Sequence, residues 1–148
     1  MIPRRHHPHI GGYLEFGDEI DAALADLPED LVGLCLDTGH QAYAGMDPVA
    51  LYERVAPRVR YFHFKNIDAE RHRRAVEQEM DLFAAIAAEV FCPLQSGVVD
   101  FGRLKQSLEA HGYGGYATIE QDSDPRSGGR PAEDAAASLR YLKEIGLA

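Results

Sequence analysis

Cysteine is scarce, basic residues are outnumbered, and no long apolar run occurs in this chain of 148 residues. The two cysteines, Cys35 and Cys92, lie far apart in the apolar stretches LVGLCLD and AEVFCPL. That placement excludes a disulfide framework and a paired-cysteine zinc site, and suits a reducing cytosol. Lysine and arginine number 15 against 24 acids, a formal net charge of −9, so a polyanion is repelled and nucleic acid is not an expected partner. The longest apolar run, LFAAIAA at 82–88, falls far short of the roughly 20 residues a membrane-spanning helix needs. The opening MIPRRHHPHIGG carries arginines without a following apolar stretch, so it lacks the middle segment of a secretory signal. The expectation is a cytoplasmic protein without a membrane partner.

What is present is ordinary globular material. Hydrophobic residues make up 45% and charged residues 26%, which argues against disorder, and a mass of 16.4 kDa fits a single domain over residues 1–148. Only SDPRSGGRPAE, 123–133, reads as a mobile loop. Short apolar or β-branched segments alternate with longer amphipathic ones, the pattern of parallel βα units. Strands are expected over Leu31–Asp37, Val59–Phe64 and Tyr116–Gln121, with a weaker one through His6–Ile10. The near-continuous apolar character of LVGLCLD suits a parallel strand covered on both faces.

Helix signals fall between the strands. Asp18 is placed to cap a helix with Ile20, Leu24 and Leu27 on one face, and Asp47 followed by Pro48 opens another that continues through Leu51 and Val55. A long helix from about Asp68 to Ala88 would put Val76, Met80, Phe83 and Ala87 on one stripe. Asp100 opens a helix with Leu104 and Leu108 inward and Gly112 as its stop, and the last helix carries Leu139, Leu142 and Ile145 before Gly146. The fold class is therefore α/β, with four parallel βα units, the C-terminal half of a (β/α)₈ barrel that takes eight units and about 250 residues. Four strands leave two open edges, so the half stands as an open sheet, pairs with another copy, or is a truncated product.

The acids and histidines collect at the C-terminal strand ends, the edge where ligands bind in parallel αβ architectures. Asp37 and His40 follow the second strand in LDTGH, His63 and Lys65 end the third in HFKN, and Glu120 and Asp122 end the fourth in IEQD. The first strand adds His7 and His9, with Glu15 in the next loop. Asp37, His63 and Glu120 offer a mixed oxygen and nitrogen set that suits manganese, cobalt, zinc or magnesium, with Glu15 or His7 as fourth ligand. Each residue also has a plainer reading. Asp-Thr-Gly is ordinary turn chemistry for Asp37, His63 could be a satisfied core histidine, Lys65 and His40 could face solvent, and Glu15 could be a capping acid. Glu120 resists the plainer reading best, since a partly buried acid needs a partner.

The strings HPHIGGYLE, GLCLDTGHQAYAGMDPVAL, VRYFHFKNI, FCPLQSGVVDF, GYATIEQDSDP and SLRYLKEIGL resemble the C-terminal half of the inosose dehydratases, within the xylose-isomerase-like TIM-barrel superfamily of sugar isomerases and epimerases. The resemblance runs over nearly the whole chain. It implies a divalent ion, manganese or cobalt, on Asp37, His63, Glu120 and a ligand from the preceding strand. It also implies that His40 and Lys65 carry the proton transfers and that His9 and Asp122 contact substrate. The implied reaction is loss of water from scyllo-inosose to give a trihydroxycyclohexane-dione, in inositol catabolism. Two local departures stand out: Gln95-Ser96-Gly97 where Gly-Glu-Gly is expected, and Asn66 where an aspartate is common after the lysine. The first four strands of the barrel are also missing, which makes a homodimer of half barrels the expected way to enclose a pocket. The alternatives are a ketose isomerase or epimerase using the same ion to stabilise an enediolate, and a non-catalytic metal-binding fragment. The charge of −9 and the small number of ligands disfavour the related apurinic endonucleases.

Overall fold

A computed structural model describes residues 4–148. Four parallel strands form one sheet in the order β1-β2-β3-β6: β1 Arg4–His6, β2 Val32–Asp37, β3 Val59–Phe64 and β6 Tyr116–Ile119. Two residues each of β4 (Asn66–Ile67) and β5 (Phe91–Cys92) pair antiparallel beyond the end of β3. The helices are α1 Gly17–Asp26, α2 Thr38–Tyr43, α3 Pro48–Val55, α4 Ala69–Glu77, α5 Leu82–Ala87, α6 Phe101–Ala110 and α7 Pro131–Glu144. Among the described residues no helix is long and apolar enough to cross a membrane.

The period-two alternation of strands sorts the chemistry. Leu34 and Leu36 of β2 and Phe62 and Phe64 of β3 join Ile20, Val49, Tyr52, Phe101, Leu104 and Leu142 from the helices in one hydrophobic core. The alternate residues Cys35, Asp37, Tyr61 and His63 stand on the other face. The register pairs Cys35 with Tyr61, Asp37 with His63 and His63 with Thr118, so the polar residues of neighbouring strands sit side by side. β1 and β6 are the two edges, and β6 is largely exposed.

Several elements depart from the expectations. β1 lies at Arg4–His6 rather than His6–Ile10, because the chain from His7 turns into the site and then into a tight loop closed by Gly12 N–H to His9 O. Asp18 does not cap α1; Phe16 holds the cap position, and Glu19 reaches back to accept from the Phe16 and Glu15 amides, which leaves Asp18 in the first turn. α7 begins at Pro131, so its first turn takes the end of the loop expected to run to 133.

The long helix over 68–88 is two. α4 closes with Glu79 at φ 49, its N–H bonded to Val76 O and the Met80 N–H to Ala75 O, and Asp81 then caps α5 through the Ala84 amide. This paired closure is the Schellman motif. It recurs at Gly45, Gly112 and Gly146, and again at Glu89, where φ is 57. Breaking the helix turns the stripe out of register: Val76 and Phe83 are exposed and Ala75 and Ala85 are buried instead.

Asn66 holds the loop that leads to α6. Its Nδ2 donates to Leu94 O (2.7 Å) and Val99 O (3.3 Å), and its Oδ1 accepts from Val99 N–H (2.8 Å) and Ile67 N–H (3.0 Å). A carboxylate could not donate to two carbonyls, which accounts for the amide here. A Cβ at Gly97 would overlap Asn66, so the glycine is required by close approach, while Gln95 and Ser96 are exposed.

Candidate metal centre

Asp37 ends β2 and starts α2, and its two oxygens do different things. Oδ1 accepts from the Gly39 (2.9 Å) and His40 (2.8 Å) amides, capping α2. Oδ2 is buried without a hydrogen-bond partner. Around it stand His7 Nε2 at 3.5 Å, His63 Nδ1 at 3.5 Å, Lys65 Nζ at 3.4 Å and His40 Nε2 at 3.8 Å. The turn reading and the ligand reading of Asp37 are thus compatible, each on its own oxygen.

His7 Nε2 and His63 Nδ1 are likewise buried and unpartnered. Glu120 Oε2 lies 2.8 Å from His63 Nδ1. One ligand atom each from Asp37, His63 and Glu120 fall within 4.8 Å of one another, as do those of His7, Asp37 and His40. Unpaired buried polar atoms are costly, and an unpartnered carboxylate oxygen with an imidazole nitrogen 3.5 Å away on either strand beside it is placed to share a cation with them. The donors are imidazole nitrogens and carboxylate oxygens, a set that fits a borderline divalent ion.

Lys65 is fully buried beneath this cluster. Its Nζ donates to Glu120 Oε1 (2.6 Å) and Asp122 Oδ2 (3.0 Å) and lies 3.1 Å from His40 Nε2. Burial works against its charge, but Asp37, Glu120 and Asp122 outweigh burial and raise its pKa. Burial pushes His40 down to about 3, with Asp37 opposing, so His40 is neutral and accepts from Lys65. Burial alone would raise the Asp37 carboxyl; His63, His7, His40 and Lys65 hold it well below the usual carboxylate range. The adjacent Asp37 raises His63, burial opposes, and Glu120 adds to the rise.

The remaining candidates are placed as follows. His9 lies against His40 with ring centroids 3.7 Å apart and planes tilted by 41°, its Nδ1 2.7 Å from Ile10 O. Glu15 turns away: its carboxylate accepts from Gly11 N–H at 2.9 Å, and it belongs to none of the clusters among the described residues. Sequence reasoning missed three supports. Thr38 Oγ1 donates to Lys65 O (2.6 Å) and accepts from Lys65 N–H (2.9 Å), fastening α2 to the end of β3. Gly39 allows the approach, since a Cβ there would overlap the Lys65 side chain. Phe91 lies 5.0 Å below the Lys65 ammonium. Only LDTGH carried any signal for these; nothing local to Phe91 did.

The sequence profile of the xylose isomerase-like TIM barrel family matches residues 6–145. An inosose dehydratase of Clostridium beijerinckii is 30% identical over 139 residues, covering 94% of this chain and 46% of that protein. Among solved structures, the probable 3-DHS dehydratase AsbF of Bacillus anthracis superposes with a TM-score of 0.69 at 20% identity over 93% of this chain and 47% of its own. A xylose isomerase-like TIM barrel protein from Mycobacterium smegmatis, in complex with magnesium, gives 0.68 at 21% identity over 99% and 45%. The chain thus spans about half the length of each of these three proteins.

Proposed function

Because the chain belongs to the xylose isomerase-like TIM barrel family, we propose that its strand-end cluster is a divalent metal site serving dehydration of a keto-inositol. The observation that carries this reading is the buried, unpartnered Asp37 Oδ2 with His7 Nε2 and His63 Nδ1 each 3.5 Å away and Glu120 2.8 Å from His63, the ligand atoms of Asp37, His63 and Glu120 lying within 4.8 Å of one another. The likeness to the inosose dehydratase supports the substrate class. Asp37, His63, Glu120 and His7 are the proposed ligands, His7 being preferred to Glu15 on position, and manganese or cobalt the proposed ion. When bound, the ion supplies a Lewis acid to the substrate ketone, which acidifies the adjacent carbon.

The side chains then divide the proton work. His40, neutral, is the proposed base, its Nε2 freed when the Lys65 ammonium 3.1 Å away turns to the substrate, and Lys65, held protonated by three carboxylates, is the acid that protonates the departing hydroxyl. Asp122, part-exposed and bonded to Lys65, orients the ammonium and meets the substrate with His9. His7, His63, Glu120 and Asp122 form the accessible rim, and His40 and Lys65 lie below it. The open edge β1 of each copy pairs with β6 of the other, keeping the strands parallel and closing an eight-stranded homodimer around the site.

The test is metal content after gel filtration of the original chain, Glu120→Gln and His63→Ala, followed by dehydration of scyllo-inosose read as product absorbance. About one manganese per chain, lost in both variants, with turnover in a discrete dimer, is the expected outcome. Metal content indifferent to both substitutions would overturn the site. Interconversion of ketoses without loss of water would move the reading to an isomerase.

A further inference from the structure

Two residues apart on one strand means one face of the sheet, so Cys35 stands directly beneath Asp37 on β2, beside β3. Cys35 is buried. Its Sγ, His7 Nε2 or Nδ1, and a ring nitrogen of His63 all lie within 4.8 Å of one another. The buried His7 Nε2 has no hydrogen-bond partner, and the buried His63 Nδ1 has only the Glu120 carboxylate oxygen at 2.8 Å, without hydrogen-bond geometry. Asp37 Oδ2, fully buried and equally unpartnered, lies 3.5 Å from each of those nitrogens. The same two imidazoles therefore face two different third ligands: a carboxylate above and a thiol below.

We propose that His7, Cys35 and His63 form a second coordination mode, one step deeper than the oxygen-rich site, which takes a thiophilic ion such as cobalt, zinc or cadmium. This rests on the reading of the cluster as a metal site. The softness of the donor decides which ion goes where: imidazole with thiolate selects the softer ions, and imidazole with carboxylate suits manganese or magnesium. Binding in the deeper mode breaks the Cys35 S–H bond, releases the proton to buffer and uses the freed sulfur pair for the bond to the ion. No electron is transferred. Asp37 Oδ2, 3.5 Å from His7 Nε2 and His63 Nδ1, is the group we assign to a fourth position. Because the two modes share His7 and His63, they exclude one another: a thiophilic ion drawn to Cys35 takes up both imidazoles, draws His63 from Glu120 and blocks the upper site.

The experiment is titration of the full chain with Co²⁺, reading thiolate-to-cobalt charge transfer in the near ultraviolet, alongside Mn²⁺ stoichiometry. The original protein is expected to show the band. Cys35→Ser and Cys35→Ala lose it and bind Cd²⁺ more than about 100-fold more weakly, beyond the roughly 10–100-fold cost of removing a neighbour of a metal ligand, while binding Mn²⁺ as before. Glu120→Gln keeps the band. Stoichiometric cobalt without the band in the original protein overturns the deeper mode and leaves the upper site standing; this result does not depend on the folding of any variant. A band that persists in Cys35→Ser comes from Cys92 and also overturns it. Failure of the original protein to bind any of these ions removes both the deeper mode and the proposed function.

Discussion

Replacing Asn66 by Ala removes the clamp between the end of β3 and the loop before α6. Three of its hydrogen bonds are short, to Leu94 O at 2.7 Å, Val99 N–H at 2.8 Å and Ile67 N–H at 3.0 Å; the fourth, to Val99 O at 3.3 Å, adds little. Each buried group left unsatisfied costs about 1–3 kcal/mol. Three such groups, taken in the lower part of that range because water enters the vacated space, give about 3–5 kcal/mol. A typical domain has only about 5–15 kcal/mol in total, so Asn66→Ala should lower the urea midpoint sharply with an unchanged slope. Asn66→Asp adds a sign. The introduced carboxyl would face two carbonyl oxygens while buried, so its folded pKa lies above the unfolded value of about 3.9. The destabilisation of Asn66→Asp is full above the folded pKa and shrinks as pH falls through it towards the unfolded value. Asn66→Ala shows no such narrowing. A loss below about 1 kcal/mol for Asn66→Ala, the worth of one ordinary hydrogen bond, would refute the clamp.

Other substitutions probe other joints. Gly39→Ala drives a methyl into the Lys65 side chain and should cost about 1–3 kcal/mol by thermal melting, with metal content falling if Lys65 carries its carboxylate partners with it. Asp47 caps α3 through the Val49 and Ala50 amides and pairs with Arg103, so Asp47→Ala should cost about 1 kcal/mol. Burial raises the Asp47 carboxyl, but Arg103 and the two amides outweigh it and leave it lowered from 3.8. That contribution is therefore present above about pH 4, and the difference between Asp47→Ala and the original chain closes as pH falls below it. Glu79→Gly relieves left-handed backbone and should gain about 0.5–1 kcal/mol, whereas Glu89→Gly also removes the ion pair to Arg71 at 3.1 Å and should gain less; a loss at Glu79 would mean its side chain carries an interaction beyond the helix stop.

Much of this arrangement was legible because alternation and caps are local. Val59–Phe64 announced itself by β-branched and aromatic content, and Asp47-Pro48 and Asp100 by cap chemistry, and all three stand where expected. The break at Glu79 was not legible. Three helices stop at glycine, the residue that makes a left-handed stop visible, whereas α4 and α5 stop at glutamates, which read as ordinary helix formers. α2 was hidden in the same way, since Asp-Thr-Gly is equally good turn chemistry and six residues are too few for periodicity to show. In the site, strand ends could be read from sequence, so Asp37, His63 and Glu120 were named. The choice between His7 and Glu15 depends on where the chain turns after β1, and the role of Cys35 depends on register between β2 and β3, neither of which spacing fixes.

Asp37 fastens two things with one carboxyl group. An ion held by Oδ2 would fix the plane in which Oδ1 already receives the Gly39 and His40 amides, so occupancy of the site and order in the first turn of α2 are linked equilibria, each strengthening the other by the same factor. His40 rides in that turn. Filling the site therefore sets the ring on which proton transfer is proposed to depend, and emptying it loosens reagent and scaffold together.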